Sequence, residues 1–166
     1  MTRSNKTPNY EAPQVERVAD TGVLTDLMRE TLAHGNTFRF RAPGRSMEPF
    51  IRSGDTVSIA PFSPSQPQLG DVLAFLHPLD DRLLVHRLIK KDGGKYLVKG
   101  DNLLDHNDGW ASADRLLGKV TRVDRGDRKI RFGLGFEKVV IALLSRRNWL
   151  VPIVNHLRRV KQFLKL

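Results

Sequence analysis

The sequence predicts a mainly β domain with a short helix before its sheet and a helical segment after it. Three observations carry this expectation. Between residues 37 and 132, short apolar or alternating runs are broken every few residues by Gly, Pro and Asp turn signals, the pattern of many short strands rather than of a βαβ array. Residues 22–34 and 136–164 instead carry apolar residues at helical spacing. A length of 166 residues suits one domain of ordinary size with tails.

Residues 1–20 are polar, contain Pro8 and Pro13 and show no period, so a flexible tail is expected. They lack an apolar core of about 7–15 residues, which argues against a secretory signal or a membrane anchor. Val23, Leu24, Leu27, Met28 and Leu32 then fall on one helical face, with Gly35 just past the end. In Thr37-Phe38-Arg39-Phe40-Arg41-Ala42 the alternation predicts a strand with both phenylalanines on one side. Strands are expected at 56–60, 71–76, 83–90, 96–99, 116–123 and 129–132, with a proline-rich loop at 61–68 and a Gly93-Gly94 hairpin.

Behind the strands, 136–144 is strongly apolar. Leu150, Ile153, Val154, Leu157, Val160 and Leu164 then recur at helical spacing against Arg158, Arg159, Lys161 and Lys165. Two helices fit, the second basic and amphipathic. Neither reaches the ~20 continuous apolar residues that a membrane span requires.

Charge is partitioned along the chain. Residues 1–114 hold 14 Lys/Arg against 15 Asp/Glu and residues 115–166 hold 14 against 3, so the formal +10 is the sum of −1 and +11. A basic block of this kind meets phosphate in lipid or nucleic acid, or is a solvated face. Phe163 alone interleaves the basic residues of the last helix, a poor base-stacking platform, so nucleic acid is not the expected partner. Peripheral association with an anionic membrane and packing of the stripe on the domain both remain open. There is no cysteine, and the five histidines (34, 77, 86, 106 and 156) show no paired metal spacing. Thiolate chemistry is thereby excluded, and neither metal nor cofactor is expected.

The stretch Gly44-Arg45-Ser46-Met47-Glu48-Pro49 turns the backbone tightly on both sides of one hydroxyl. After it come, in order, the Gly54-Asp55 turn, Leu69-Gly70-Asp71-Val72, Leu84-Val85-His86-Arg87-Leu88, Lys99-Gly100-Asp101-Asn102 with Asp108 beyond, and Leu117-Gly118-Lys119-Val120. This ordered set resembles the signal peptidase I superfamily, which includes the self-cleaving domain of LexA-type repressors. The resemblance runs from about Thr37 to Val123. It implies a catalytic β domain over 21–133, flanked by the tail at 1–20 and a basic helical C-terminal arm at 134–166.

A serine hydroxyl needs a base within hydrogen-bond reach. His86 is the candidate for Ser46, because strand alternation sets it with Leu84 and Leu88 on an otherwise apolar face. The common bacterial signal peptidases and LexA-type proteins keep a lysine followed by arginine there. The pair His86-Arg87 resembles instead the branch found in the endoplasmic reticulum, archaea and some bacteria. Lysine must be brought down from about 10.4 by burial, whereas a histidine begins near 6.5, so a Ser-His pair tolerates a wetter site. By the resemblance, Asp101 and Asp108 match the two positions where the family keeps carboxylates near the dyad: Asp108 is expected to orient His86, Asp101 to hold the turn, and Asp105 to be exposed. Where many bacterial relatives place a second, oxyanion-binding serine stands Gly44, so an oxyanion hole would rest on backbone amides. Met47 and Phe50 read as core, and Lys119 as an exposed strand lysine.

What the resemblance implies is a serine endopeptidase that cuts a leader or precursor peptide after small residues. Only 14 residues separate His86 from Asp101, leaving no room for the accessory subdomain that the bacterial enzymes insert there. With no anchor expected at the N-terminus, a cytoplasmic or inner-surface maturation protease is the expected setting. Two alternatives stand beside it. One is a LexA-like self-cleaving regulator, against which the short stretch before the serine and the lack of an Ala-Gly or Cys-Gly dipeptide count. The other is a non-catalytic binding module on a peptidase-like scaffold.

Overall fold

The computed structural model describes residues 21–62, 66–104 and 106–164. The tail expected at 1–20 and the exposure expected of Asp105 lie outside these. The chain runs α1 (Thr21–Ala33), β1 (Phe38–Arg41), β2 (Thr56–Ala60), β3 (Val72–Leu76), β4 (Leu83–Asp92), β5 (Lys95–Lys99) and β6 (Trp110–Ser112). A short 3₁₀ turn, Ala113–Arg115, leads into β7 (Leu116–Arg125), β8 (Arg128–Ile130), α2 (Lys138–Arg146) and α3 (Leu150–Phe163).

The fold is mainly β. One antiparallel sheet has the strand order β1-β2-β7-β3-β4-β5-β6, with β8 paired to β7. Long β7 joins its two halves, pairing with β2 through Lys119–Asp124 and with β3 through Leu116–Lys119. That crossing is tight at Gly118, where a Cβ would come within 2.6 Å of the Ala60 carbonyl oxygen. Strand β4 runs two residues past the expected end, because its hairpin with β5 pairs on to Asp92 and Lys95 through the Gly93-Gly94 turn. Three-residue β6 escapes the periodicity argument altogether, being too short to alternate. It exists by pairing Trp110 with Leu97 and Ala111 with Tyr96 along the edge of β5.

Only part of the face expected of α1 closes the first core: Val23 and Leu27 are exposed, and the buried line is Thr25, Met28 and Leu32. Met28 and Leu32 pack with Val57 and Ile59 of β2, Val72 and Ala74 of β3, and Val120 and Val123 of β7. Each such fully buried side chain contributes about 1.5–3 kcal/mol of transfer free energy. Met47 and Ile51 join this cluster, so apolar burial just after the serine fastens its turn to the sheet.

The C-terminal helices divide into a packed part and an exposed part. Ile141, Ala142 and Ser145 of α2 are buried, and Phe50, Ile141 and Leu150 form a core cluster with Leu144 and Val154 against it. Helix α2 ends where Asn148 takes a positive φ of 59°, with Trp149 N–H donating to Leu144 O and Asn148 N–H to Ser145 O. An αL residue of this kind satisfies the last carbonyls and turns the chain. Pro152 falls in the first turn of α3, where its missing N–H is tolerated. From Asn155 to Gln162, α3 is exposed on every side. No helix among the described residues is long and apolar enough to cross a membrane.

Candidate active site

Three loops and strands converge on Ser46. The residue lies in a helix-like turn between β1 and β2, closed by the bonds Glu48 N–H to Arg45 O and Ile51 N–H to Met47 O. Burial of Met47, Phe50 and Ile51 anchors the turn from within and leaves Ser46 half-buried at the surface of the domain. Below it the loop is braced by Asp55, whose carboxylate accepts from Arg52 N–H at 2.8 Å and from Arg125 of β7 at 2.9 and 2.8 Å. Burial acts to raise the Asp55 pKa, but the guanidinium and the backbone N–H prevail and hold it below the ordinary carboxylate value.

His86, fourth residue of β4, is buried and extends towards the turn. Its Nε2 lies 2.8 Å from Ser46 Oγ and its Nδ1 lies 2.5 Å from Asp108 Oδ2. A carboxylate can only accept, so Nδ1–H donates to Asp108. Neutral imidazole then has Nε2 free to accept the serine hydroxyl proton. The Phe75 ring packs tilted against the imidazole at 6.3 Å between centroids. Asp108 approaches from the segment before β6, whose position is set by its own N–H donating to Val98 O at 3.0 Å.

Asp101 sits apart from this chain of bonds. Both of its oxygens accept from Arg87, at 2.8 Å from Nε and 2.7 Å from Nη2, with both side chains fully buried. Complete burial pushes the Asp101 carboxyl up from its ordinary value, while the guanidinium pulls it back. The remaining reach of Arg87 goes to carbonyls: Nη1 donates to Gly70 O and Gly133 O, each at 2.8 Å, and the guanidinium lies 5.4 Å from the centre of the Phe50 ring. Arg87 thus ties β4 to the turn before β3, to the segment before α2 and to the loop carrying Asp101.

That loop is held close against the serine. Asn102 N–H donates to Ser46 O at 2.7 Å and its side-chain amide donates to Arg45 O at 3.2 Å. A Cβ on Gly100 would stand 2.8 Å from Ser46 O and 3.2 Å from His86 Nε2, so glycine is required by contact alone. Lys99 is buried just before it and donates to Leu104 O, Ser145 O and Asn148 Oδ1, joining the loop to the end of α2. Sequence reasoning assigned nothing to Gly100, Asn102 or Lys99 and left Arg87 as the partner of a dipeptide. The available signal was Arg87 beside Val85 on a strand face otherwise turned inward. Lys119 is half-buried on β7 rather than exposed, since that strand has neighbours on both sides. No group of three or more His, Asp or Glu residues capable of holding a metal ion occurs among the described residues.

A curled antiparallel sheet with a serine turn at one end and helices before and after it is the peptidase-like scaffold of the signal peptidase and LexA type. The chain belongs to the Peptidase S24-like family, whose profile matches residues 9–120. No curated protein matches it.

Proposed function

We propose that the protein is a serine endopeptidase that cleaves a leader or precursor peptide, with Ser46 as nucleophile, His86 as base and Asp108 as the group that orients His86. The observation that carries this reading is the unbroken series Ser46 Oγ, His86 Nε2, His86 Nδ1, Asp108 Oδ2 at 2.8 and 2.5 Å within a peptidase family scaffold. In the proposed reaction Ser46 Oγ attacks the scissile carbonyl while its proton passes to Nε2. The Asp108 carboxylate supports the imidazolium that forms. Collapse of the tetrahedral adduct breaks the C–N bond, His86 returns the proton to the leaving amine, and an acyl-serine remains. Water, deprotonated by His86, then releases the acid and restores the hydroxyl.

The Ser46 N–H is the donor assigned to the developing oxyanion, because it makes no hydrogen bond among the described residues. Gly44 offers no hydroxyl, so that stabilisation is carried by the backbone. Cleavage after small residues follows from the superfamily resemblance.

The test is intact-mass analysis of a leader-peptide library, and of the chain itself, after incubation, together with acylation by a serine-directed probe. Ser46→Ala and His86→Ala should each abolish turnover, and the double variant should be no worse than either, because the two groups act as a unit. Asp108→Asn should retain the fold and lose roughly 10²–10⁴ in rate. An unreactive Ser46 in the folded wild-type chain would point to the non-catalytic alternative, and additive losses would overturn the pairing of Ser46 with His86. Cleavage of the chain at its own backbone alone would favour the self-cleaving regulator.

A further inference from the structure

The C-terminal helices leave an apolar surface that the domain does not use. On α2 the buried side is Ile141, Ala142 and Ser145, yet Val139, Val140 and Leu143 on the opposite side are exposed, and Phe136, one turn earlier, is 94% exposed. Positions 139, 140 and 143 recur at three- and four-residue spacing, so they form one line along that outer side, and Phe136 stands in the turn just before it. On α3, Ile153, Leu157, Val160 and Leu164 repeat the arrangement, Leu157 and Leu164 being 61% and 81% exposed. Between the helices stands Trp149, exposed, with the Arg147 guanidinium 5.9 Å from its ring.

Around these apolar residues the charge has one sign. Residues 134–166 hold seven Lys/Arg and a single acid, Glu137. That acid is turned to its own backbone, accepting from Gly133 N–H and Gly135 N–H. Arg146 and Arg147 flank the turn, and Arg158, Arg159 and Lys161 lie exposed along α3. Lys161, one turn after Leu157, borders the stripe on the helical wheel, where a long stem covers apolar surface while its ammonium reaches outward.

We propose that the outer face of α2 and α3 is a docking surface for an anionic lipid bilayer, lying in the headgroup layer without crossing it. Apolar side chains exposed along two successive helices, an interfacial tryptophan at their junction and a nearly unopposed cationic rim are the elements of interfacial binding. The charge complementarity selects an anionic surface over a neutral one. The face is separate from Ser46 and does not depend on the proposed chemistry there. Since α2 also supplies Ile141 to the core and the Ser145 carbonyl to Lys99, deleting the helices would damage the domain, and surface variants are the proper probe.

The experiment is co-sedimentation of the full chain with phosphatidylglycerol-containing and with pure phosphatidylcholine vesicles, at low and high salt. The expected result is reversible binding to the anionic vesicles only, weakened by salt. Leu157→Glu should reduce it, and Arg158→Glu with Arg159→Glu should reduce it by at least about 10-fold. Each variant should melt like the parent, because the replaced side chains are exposed. Tryptophan emission should shift to the blue on binding, and the shift should vanish in Trp149→Phe. Failure to sediment with anionic vesicles at low salt overturns the proposal. So does binding indifferent to Leu157→Glu, which is plain charge adsorption, or self-association abolished by Leu157→Glu in a chain that ignores vesicles, which assigns the face to a second copy.

Discussion

Replacing Gly100 by alanine tests how the serine turn is held against its base. The added Cβ would lie 2.8 Å from Ser46 O, 3.0 Å from Leu103 Cδ1 and 3.2 Å from His86 Nε2. Comfortable separation for such pairs is about 3.5 Å, so roughly half an ångström or more must open. Leu103 is the end of a side chain and can yield. Ser46 O belongs to the backbone and is already held by Asn102 N–H at 2.7 Å, so yielding there strains the bond that positions the turn. A misplacement of ~1 Å costs up to ~10²-fold in reaction rate, which sets the expected loss of Ser46 acylation at about 10-fold or more. Overpacking of this size costs about 1–3 kcal/mol, a fall in Tm of roughly 2–12 °C for a domain of this length. The assay is the second-order rate of labelling by a serine-directed phosphonate, read by intact mass, beside a thermal melt. Gly44→Ala is the control on the other side of the nucleophile, because a Cβ there meets nothing within 4 Å, and it should label at the parental rate. If Gly100→Ala labels like the parent and melts at the parental temperature, the turn moves freely without displacing Ser46 and the reasoning fails.

Two further outcomes are expected. Asp101→Asn removes one partner of a fully buried ion pair and leaves the Arg87 guanidinium uncompensated. The cost should be about 3–5 kcal/mol, seen as a Tm lower by roughly 6–20 °C, and an unchanged melt would remove Arg87 and Asp101 from the structural role given them here. Asp55 has a folded-state pKa below its unfolded value, so its contribution is fully present above the unfolded pKa near 3.9 and is lost as pH falls through the lower, folded one. Acid unfolding should therefore steepen below about pH 4, and Asp55→Asn should flatten that limb in a pH series of melts; a limb identical to the parent's would show that other carboxylates govern it.

Local pattern was enough for most of the architecture. Alternation in Phe38–Arg41, helical spacing in α1, α2 and α3, and the Gly93-Gly94 turn are properties of neighbouring residues, and they are legible because backbone periodicity needs no partner. The motif order likewise singled out Ser46 and His86, residues 40 apart in the chain, as a pair worth testing. What only tertiary structure decided is which groups meet. Three acids occupy positions 101, 105 and 108, and nothing in their spacing says that one reaches His86 Nδ1 while another is enclosed with Arg87. That division depends on the register of β4 against β5, which pairs Arg87 with Lys99. The burial of Arg87 and Lys99 follows the same logic. A charge inside a domain is tolerable only where acceptors converge on it, and here they come from Gly70, Gly133, Leu104, Ser145 and Asn148, sites brought together by the fold and not by the sequence.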